Sequence, residues 1–383
     1  MDLCLLVCAI IILAFGVVFS IELALGNRSV RFLKDVSRAS STASRVSIIV
    51  PARNEEQKIE QALISLLHQD YPDIEIIVVN DRSTDSTGTI LNTLSLSYSH
   101  LKILHLSELP AGWLGKNYAL YTGSRCASGE YLLFTDADVS LAPSAISRAV
   151  HFMEDYGVDH LVCSPVIRVR GLMLKIMIGT FLYLFIKITQ PWKARNPKSR
   201  RFMGIGAFNF IRRPVYQAIG THEAIRMRPD DDMMLGKLVK SRGCKQDVLN
   251  GMDMVELEWY ASPREMVDGM LKNAFAGASY SVMHIVAASL GLMLGFVFPY
   301  IGVLLTGGIT QGLYGLIIFV SICSYWDNAR YFKQARWLGI GLPLGAMCIL
   351  YILWNSTLKT LFNNGIYWRN THYSLGELKA NKV

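Results

Sequence analysis

The strongest constraint on this chain is an almost uninterrupted apolar run from Leu3 to Gly26, with Glu22 as its one charged residue. About 20 such residues cross the hydrocarbon core of a bilayer as a helix. A cleaved signal peptide needs a basic start, a shorter apolar core and a small-residue cleavage site. Here the chain opens Met1-Asp2 and the run is longer, so an uncleaved transmembrane anchor is expected over residues 1–27. Arg28, Arg31, Lys34 and Arg38 follow it, against a single Asp35. Basic flanks stay cytoplasmic, which puts the following segment on that side.

The rest of the apolar sequence is also pooled. Hydrophobic residues make up 51% of the chain and charged residues only 18%, against about a quarter charged in soluble domains. Further runs are Ser281 to Gly307, Gly312 to Trp326 and Leu338 to Leu358. They define a C-terminal transmembrane region over 281–361 and a tail over 362–383. The second run is short and can borrow from the Gly307-Gly308 region. Arg330, Lys333 and Arg336 suit a cytoplasmic loop between the second and third runs. Three spans would then leave the tail outside, whereas Lys359, Arg369, Lys379 and Lys382 favour the inside. A re-entrant third run, marked by Pro343 and its nearby glycines, is the alternative. Leu172 to Gln190 is a separate case, because Lys175 and Lys187 bracket only eleven residues. It reads as an interfacial helix or as a buried helix of the central domain.

The net charge of +8 collects beside the apolar runs, at Arg28 to Arg38 and Arg330 to Arg336. That placement suits anionic lipid headgroups. It is not the basic stripe with stacking aromatics that a nucleic-acid surface requires. Seven cysteines form no C-x-x-C pair, which suits a reduced cytoplasmic domain without zinc or disulfides.

Polar sequence collects in residues 46–275. Val46 to Val50 is a β-branched run ended by Pro51, and Ile74 to Val79, Lys102 to Leu106 and Tyr131 to Thr135 are three more strands. Helical spacing lies between and after them, over Glu55 to Leu67, from a Ser83-Thr84-Asp85 cap onward, over Lys116 to Cys126, and over Pro143 to Tyr156. This alternation predicts an α/β domain with a Rossmann-like, mostly parallel sheet. Ligands bind such sheets at the carboxyl ends of the strands.

Those ends carry the informative residues. They are Pro51-Ala52-Arg53-Asn54-Glu55-Glu56, Asn80-Asp81-Arg82-Ser83-Thr84-Asp85 and Asp136-Ala137-Asp138. Each alone can be a helix cap, and Asp85 reads that way. Two carboxylates at i and i+2 after a buried strand repel unless a cation joins them. Oxygen ligands of that kind suit Mg²⁺ or Mn²⁺ with substrate phosphates. No glycine-rich phosphate loop follows a strand, which disfavours a P-loop ATPase or a dinucleotide oxidoreductase. Lys116 opens a helix after Gly112-Trp113-Leu114-Gly115, where an anion would use both the lysine and the helix end. A solvated surface lysine is the plainer alternative. Asp230-Asp231-Asp232 starts another helix, either as an acidic cap or as a general base at the mouth of the site.

Taken together, these residues resemble a membrane-bound family 2 glycosyltransferase with the GT-A nucleotide-sugar-binding fold, and within it the subgroup associated with carotenoid and hopanoid-type lipids. The motifs lie in order at 50–56, 79–85, 112–116, 136–138 and 231–236. The stretch 203–226 and the tail Trp368-Arg369-Asn370-Thr371-His372-Tyr373 add to the likeness. The resemblance implies an inverting, metal-dependent transfer from a nucleotide sugar, a UDP-sugar by family precedent, to a hydroxyl of a membrane lipid. Pro51, Ala52, Glu55 and Asp81 would hold the nucleotide, with Lys116 on the diphosphate and Asp136 on the nucleotide and metal. Asp138 would ligate Mg²⁺ or Mn²⁺, and Asp232 would be the general base, with Asp231 its acidic neighbour. The family usually has Glu-Asp at that last motif, so Asp-Asp is a departure. Trp113, Arg212, His222, Trp368 and Arg369 are candidate acceptor or diphosphate contacts. The Q-x-x-R-W motif of processive synthases is absent from its expected region, which argues against polymer extrusion.

The expected protein is therefore an integral membrane enzyme of the cell membrane with a cytoplasmic catalytic domain. Its partners would be a nucleotide-sugar donor and a lipid acceptor, with no nucleic acid. A polyprenyl-phosphate sugar transferase and a non-catalytic GT-A scaffold are the alternatives. A transporter is disfavoured, because ionisable residues within the C-terminal runs are few, chiefly His284.

Overall fold

The computed structural model describes residues 2–38, 44–369 and 371–383. Met1 of the expected anchor and Asn370 of the tail motif lie outside the described residues. In chain order the helices are α1 (Asp2–Ser29), α2 (Ile59–Leu67), α3 (Thr87–Ser97), α4 (Gly115–Cys126), α5 (Ala145–Asp155), α6 (Leu172–Thr189) and α7 (Arg213–Ala218). They continue as α8 (Asp231–Ser241), α9 (Pro263–Gly277), α10 (Val282–Leu292), α11 (Phe298–Leu305), α12 (Gly308–Ala329), α13 (Leu342–Phe362) and α14 (Leu375–Ala380). The strands are β1 (Val46–Ala52), β2 (Ile74–Asp81), β3 (Leu101–Leu106), β4 (Tyr131–Phe134), β5 (Val139–Leu141) and β6 (His160–Ser164). After them come β7 (Val166–Ile167), β8 (Asn209–Arg212), β9 (Gln246–Asn250), β10 (Val255–Leu257), β11 (Gly365–Trp368) and β12 (Thr371–Ser374).

The chain divides into two compact units. One holds Val30–Arg168, Pro191–Trp259 and Ala380–Val383. Its main sheet has the order β3-β2-β1-β4-β8-β6-β9. Every pairing in it is parallel except those of β8, which runs antiparallel to both β4 and β6. Alternation along the strands fills both faces. Ile48, Val50, Ile76, Val78 and Leu133 enter one core, and Ile49, Ile77, Val79, Leu132 and Phe134 enter the other. A sheet buried on both sides needs such β-branched runs. Strand β1 continues through Pro51 to Ala52, in register with Val79 and Asn80, instead of ending at the proline. Proline keeps its carbonyl and an extended φ, so the last residues of a strand tolerate it. A second sheet, β5-β10-β7, lies in the same unit.

The other unit holds Met1–Ser29, Val169–Gln190 and Tyr260–Lys379. Among the described residues, five helical stretches are long and apolar enough to cross a membrane: Leu3–Ser29, Leu172–Lys193, Val282–Leu305, Gly308–Phe332 and Arg336–Phe362. The second run starts at Gly308, as the borrowing argument allowed. The third is one continuous helix over Leu342–Phe362, so no break marks it as re-entrant. Helix α6, half of it buried, clusters with these helices, not with the sheet. Helix α9 does too, so the sheet unit stops at Trp259, short of the expected residue 275. Within the helical unit Gly302 lets the Tyr314 ring lie flat against α11, and the Tyr314 hydroxyl donates to Leu5 O at 3.1 Å. Phe15, Met283, Leu304, Phe319 and Phe362 remain exposed, as lipid-facing residues do.

The basic flanks of the first helix pair largely with groups of the protein itself. Arg28 forks onto Asp327 at 3.0 and 3.1 Å. Lys34 pairs with Asp253 at 2.8 Å and Arg38 with Asp70 at 3.0 Å. The Arg31 guanidinium stacks 4.3 Å over the Tyr156 ring. Arg330 also pairs with Asp327, at 2.6 Å. Most of the charges beside these runs thus have partners on the protein itself.

Candidate active site

The loops after β1 and β2 form one cross-braced edge. Asn54 N donates to Ser83 Oγ at 3.0 Å, and Thr84 N donates to Asn54 Oδ1 at 2.8 Å. Glu55 N donates to Thr87 Oγ1 at 2.8 Å, and Ser86 N donates to the Glu56 carboxylate at 2.9 Å. Asp85 accepts from Thr87 N at 3.0 Å and Glu56 N at 3.2 Å, the capping role expected of it. Both loops turn at residues in the left-handed region, Asn54 (φ 56°) and Arg82 (φ 53°). Ala52 is buried and Pro51 half-buried at the end of β1.

Asp81, buried at the end of β2, is gripped by Arg82 at 2.7 and 3.1 Å and by Arg53 at 3.6 Å. Gly115, the first residue of α4, lets that helix approach this carboxylate. A Cβ there would strike Asp81 Oδ2 and come within 3.0 Å of the Arg82 guanidinium. The next residue, Lys116, meets Asp136 at 2.9 Å and Asp231 at 3.4 Å. Burial opposes its charge, but Asp136, Asp231 and Asp232 outweigh that and hold the ammonium protonated. Lys116 is thus no solvated surface lysine. It joins the end of β4 to the start of α8.

Two glycines seat Asp232. Its Oδ2 accepts from Gly206 N at 2.8 Å. Gly204 lies against the Asp232 carbonyl, with no room for a Cβ. At Gly206 a Cβ would lie 2.5 Å from Asp136 Oδ2 and 3.4 Å from Lys116 Nζ. Beneath them, buried Asn209 donates to Asp232 O at 3.4 Å and also bonds the His160 ring, which Gln246 holds from its other side at 2.7 Å. Burial and the charge of Asp231 raise the Asp232 pKa well above the ordinary carboxylate range. Asn117 ties the approach to α8 by donating to Ile225 O, Arg226 O and Arg228 O at 2.8, 3.2 and 2.9 Å. Gly204, Gly206, Asn117 and Arg53 escaped the sequence reading as site-formers; the Gly204-x-Gly206 spacing was the one local signal.

Asp138 follows Asp136 on the loop to β5, with Lys58 at 3.7 Å. Burial, then the charge of Asp136, push its carboxyl up to about 7. A carboxyl in that state gains from a strong cation. The donor set is two carboxylates, and no group of three or more His, Cys, Asp or Glu is gathered for a metal among the described residues. That fits a hard divalent ion that keeps waters and completes its shell with phosphates, and does not fit zinc.

The remaining candidates make contacts of their own. The Trp113 ring is buried against Tyr121 and Tyr118, at 5.0 and 5.5 Å between centroids. His222 is buried against Phe134 and Tyr216, and burial, then the Lys116 charge, lower its pKa to about 3. It is a neutral core histidine. Arg212 pairs in register with Tyr131, the first residue of β4, and lies over that ring. It is therefore at the opposite end of the strand from Asp136. Trp368 and Arg369 lie on the β11-β12 hairpin of the helical unit, where Lys272 stands 3.9 Å over the Trp368 ring.

With this geometry in hand, the comparisons are specific. Residues 47–220 match the family model for glycosyl transferase family 2. A 4,4'-diaponeurosporenoate glycosyltransferase of Staphylococcus aureus (strain MRSA252) is 23% identical over 339 residues, covering 87% of this chain and 89% of the relative. The protein of the same name from Staphylococcus haemolyticus (strain JCSC1435) is 25% identical over 292 residues, covering 73% and 74%. Among solved structures, a mannosyltransferase from Pyrobaculum calidifontis in complex with GDP-Man and Mn²⁺ superposes with a TM-score of 0.53 at 18% identity, covering 91% of this chain and 99% of that one. Residues 47–220 therefore form a glycosyl transferase family 2 domain, and the chain is a glycosyltransferase with the GT-A fold.

Proposed function

We propose that the chain moves a sugar from a nucleotide sugar, a UDP-sugar as donor, to a hydroxyl of an isoprenoid- or carotenoid-type lipid, inverting the anomeric centre. The observation that carries this reading is the convergence of Asp136, Lys116 and Asp231 within 3.4 Å, with Asp232 seated beside them on Gly206. Asp232, its pKa raised, takes the acceptor proton as the new oxygen–carbon bond forms and the bond to the nucleoside diphosphate breaks. A single displacement of this kind inverts the centre. The Lys116 ammonium meets the charge that develops on the leaving diphosphate. Mg²⁺ or Mn²⁺, when held by Asp136 and Asp138, supplies further Lewis-acid stabilisation there. Ala52, Pro51, Glu55 and Asp81 form the nucleotide edge.

Two things support a lipid acceptor. The first is the set of five apolar helices on the same chain. The second is that the relatives bear the name of a glycosyltransferase for 4,4'-diaponeurosporenoate. The test is transfer from UDP-glucose by the full chain in detergent, with a polyprenol, a carotenoid acid or a soluble sugar as acceptor and with the metal omitted or restored. Glycolipid formation that needs the metal is expected. Equal rates on soluble sugars alone would overturn the lipid acceptor, and full activity with chelator would overturn the metal.

A further inference from the structure

Between Asp159 and Glu223 the sequence has no acidic residue. Apolar helix α6 lies in the middle of this stretch, and just past its end come Lys193, Arg195, Lys198, Arg200 and Arg201. The segment is folded, not loose. It turns through backbone bonds from Ala194 to Pro191, from Asn196 to Lys193 and from Ser199 to Asn196. Lys240 pins it from below, donating to Ala194 O and Asn196 O, both at 2.6 Å. Arg195 faces Asp247. The side chains of Lys198, Arg200 and Arg201 are exposed, and none of the three makes an ion pair among the described residues.

The contrast with α1 makes the case. The basic residues after that helix are paired or stacked on the protein's own groups, at Asp327, Asp253, Asp70 and Tyr156. Lys198, Arg200 and Arg201 after α6 are held on a braced backbone with their side chains exposed. Eight residues separate Thr189, the end of α6, from Lys198, so a bilayer that receives α6 has its headgroup zone within reach of these charges. Basic clusters directly beside an apolar helix bind anionic lipid surfaces, each charge strengthening attachment by about fivefold.

We infer that Lys198, Arg200 and Arg201 form a docking surface for anionic phospholipid headgroups, orienting this segment on the bilayer. The inference is independent of the sugar donor and of the acceptor. The occupant is the phosphate of a membrane lipid, not a soluble phosphate.

The test uses the full chain in nanodiscs, either of phosphatidylcholine alone or with about 30 mol % phosphatidylglycerol, and follows amine-reactive labelling of Lys198 by mass spectrometry. Labelling about threefold slower in the anionic discs is expected, with the protection lost near 0.5 M salt, where the screening length is about 4 Å. The double variant Arg200→Gln, Arg201→Gln should lose most of the protection while nucleoside diphosphate binding, read in the same discs, stays unchanged. Equal labelling in both discs overturns the surface. So does protection in neutral discs by inorganic phosphate alone, which would make it a soluble-phosphate site. Protection that persists undiminished in the double variant also overturns it.

Discussion

Replacing Gly204 by alanine tests whether Asp232 works where the fold seats it. A Cβ at 204 falls 2.8 Å from Met233 N and closer still to the carbonyl of Asp232. These are backbone atoms, so no rotamer change relieves the overlap. Restoring ordinary contact at 3.4 Å moves the first turn of α8 by at least about 0.6 Å, because dispersion contact turns to repulsion inside that range. The overlap with the carbonyl demands more. A displacement near 1 Å of a catalytic group costs on the order of 100-fold in rate, so kcat should fall about 10- to 100-fold. The nucleotide edge hangs from β1 and β2, so affinity for the nucleoside diphosphate should stay within about threefold. Overpacking of this size costs about 1–3 kcal/mol, a few degrees in melting temperature. Initial rates at saturating donor and acceptor, beside calorimetric binding of the diphosphate, separate these effects. Gly206→Ala is the companion. Its Cβ meets only the end of Asp136 and the tip of Lys116, both of which can swing, so its kcat loss should be smaller. Gly312→Ala, with open space around it, is the control. A Gly204→Ala enzyme with wild-type kcat refutes the seat.

Further outcomes follow from the same geometry. Asp232→Asn should lower kcat by about 10²–10⁴ with diphosphate binding intact. The base acts deprotonated and its pKa is raised by burial and then Asp231, so kcat/KM should fall as pH drops through that raised value. Asp231→Asn removes the like charge and should move this acid limb to lower pH; a limb that stays in place rules out the assignment. Glu75 behaves oppositely. Burial alone would raise its carboxyl, but hydrogen bonds from Lys102, Ser128 and Ser47 outweigh that and hold it at about 2, below its usual 4.5. Its stabilisation is therefore complete above pH 4.5 and lost as pH falls toward 2, and melting curves of Glu75→Gln should be flatter across that window. Asn117→Ala removes a donor from Ile225 O, Arg226 O and Arg228 O, the first two of which keep Arg228 N and Leu114 N, and should cost about 1 kcal/mol in a melting assay.

Much of this was readable from local pattern. Runs such as Ile74 to Val79 declare buried strands because both faces of the sheet are covered. Asp136, Lys116 and Asp231 could be picked out because charge at the end of an apolar element needs a reason. What local pattern does not carry is register between distant segments. Nothing near residue 209 says that β8 inserts antiparallel between β4 and β6, and that one fact sends Arg212 to the far end of β4. The packing of Trp113 on Tyr121 and of His222 on Tyr216 is hidden for a related reason, since an aromatic or imidazole beside a motif looks available until such partners are known. Helix α6 was obscured by Lys175 and Lys187, which break the apolar count although the helix continues through both.

The order of the main sheet also fixes an order of assembly. Strands β1 to β4 and β6 precede α6 in the chain, while β8, which must lie between β4 and β6, follows it. During synthesis the first half of the sheet can form alone, but β6 has no neighbour in it until β8 emerges. By then all of α6 has already left the ribosome. Closure of the sheet therefore waits until the whole of α6 has been made. A version cut to residues 46–259 to dispense with the membrane would still carry that helix through its middle.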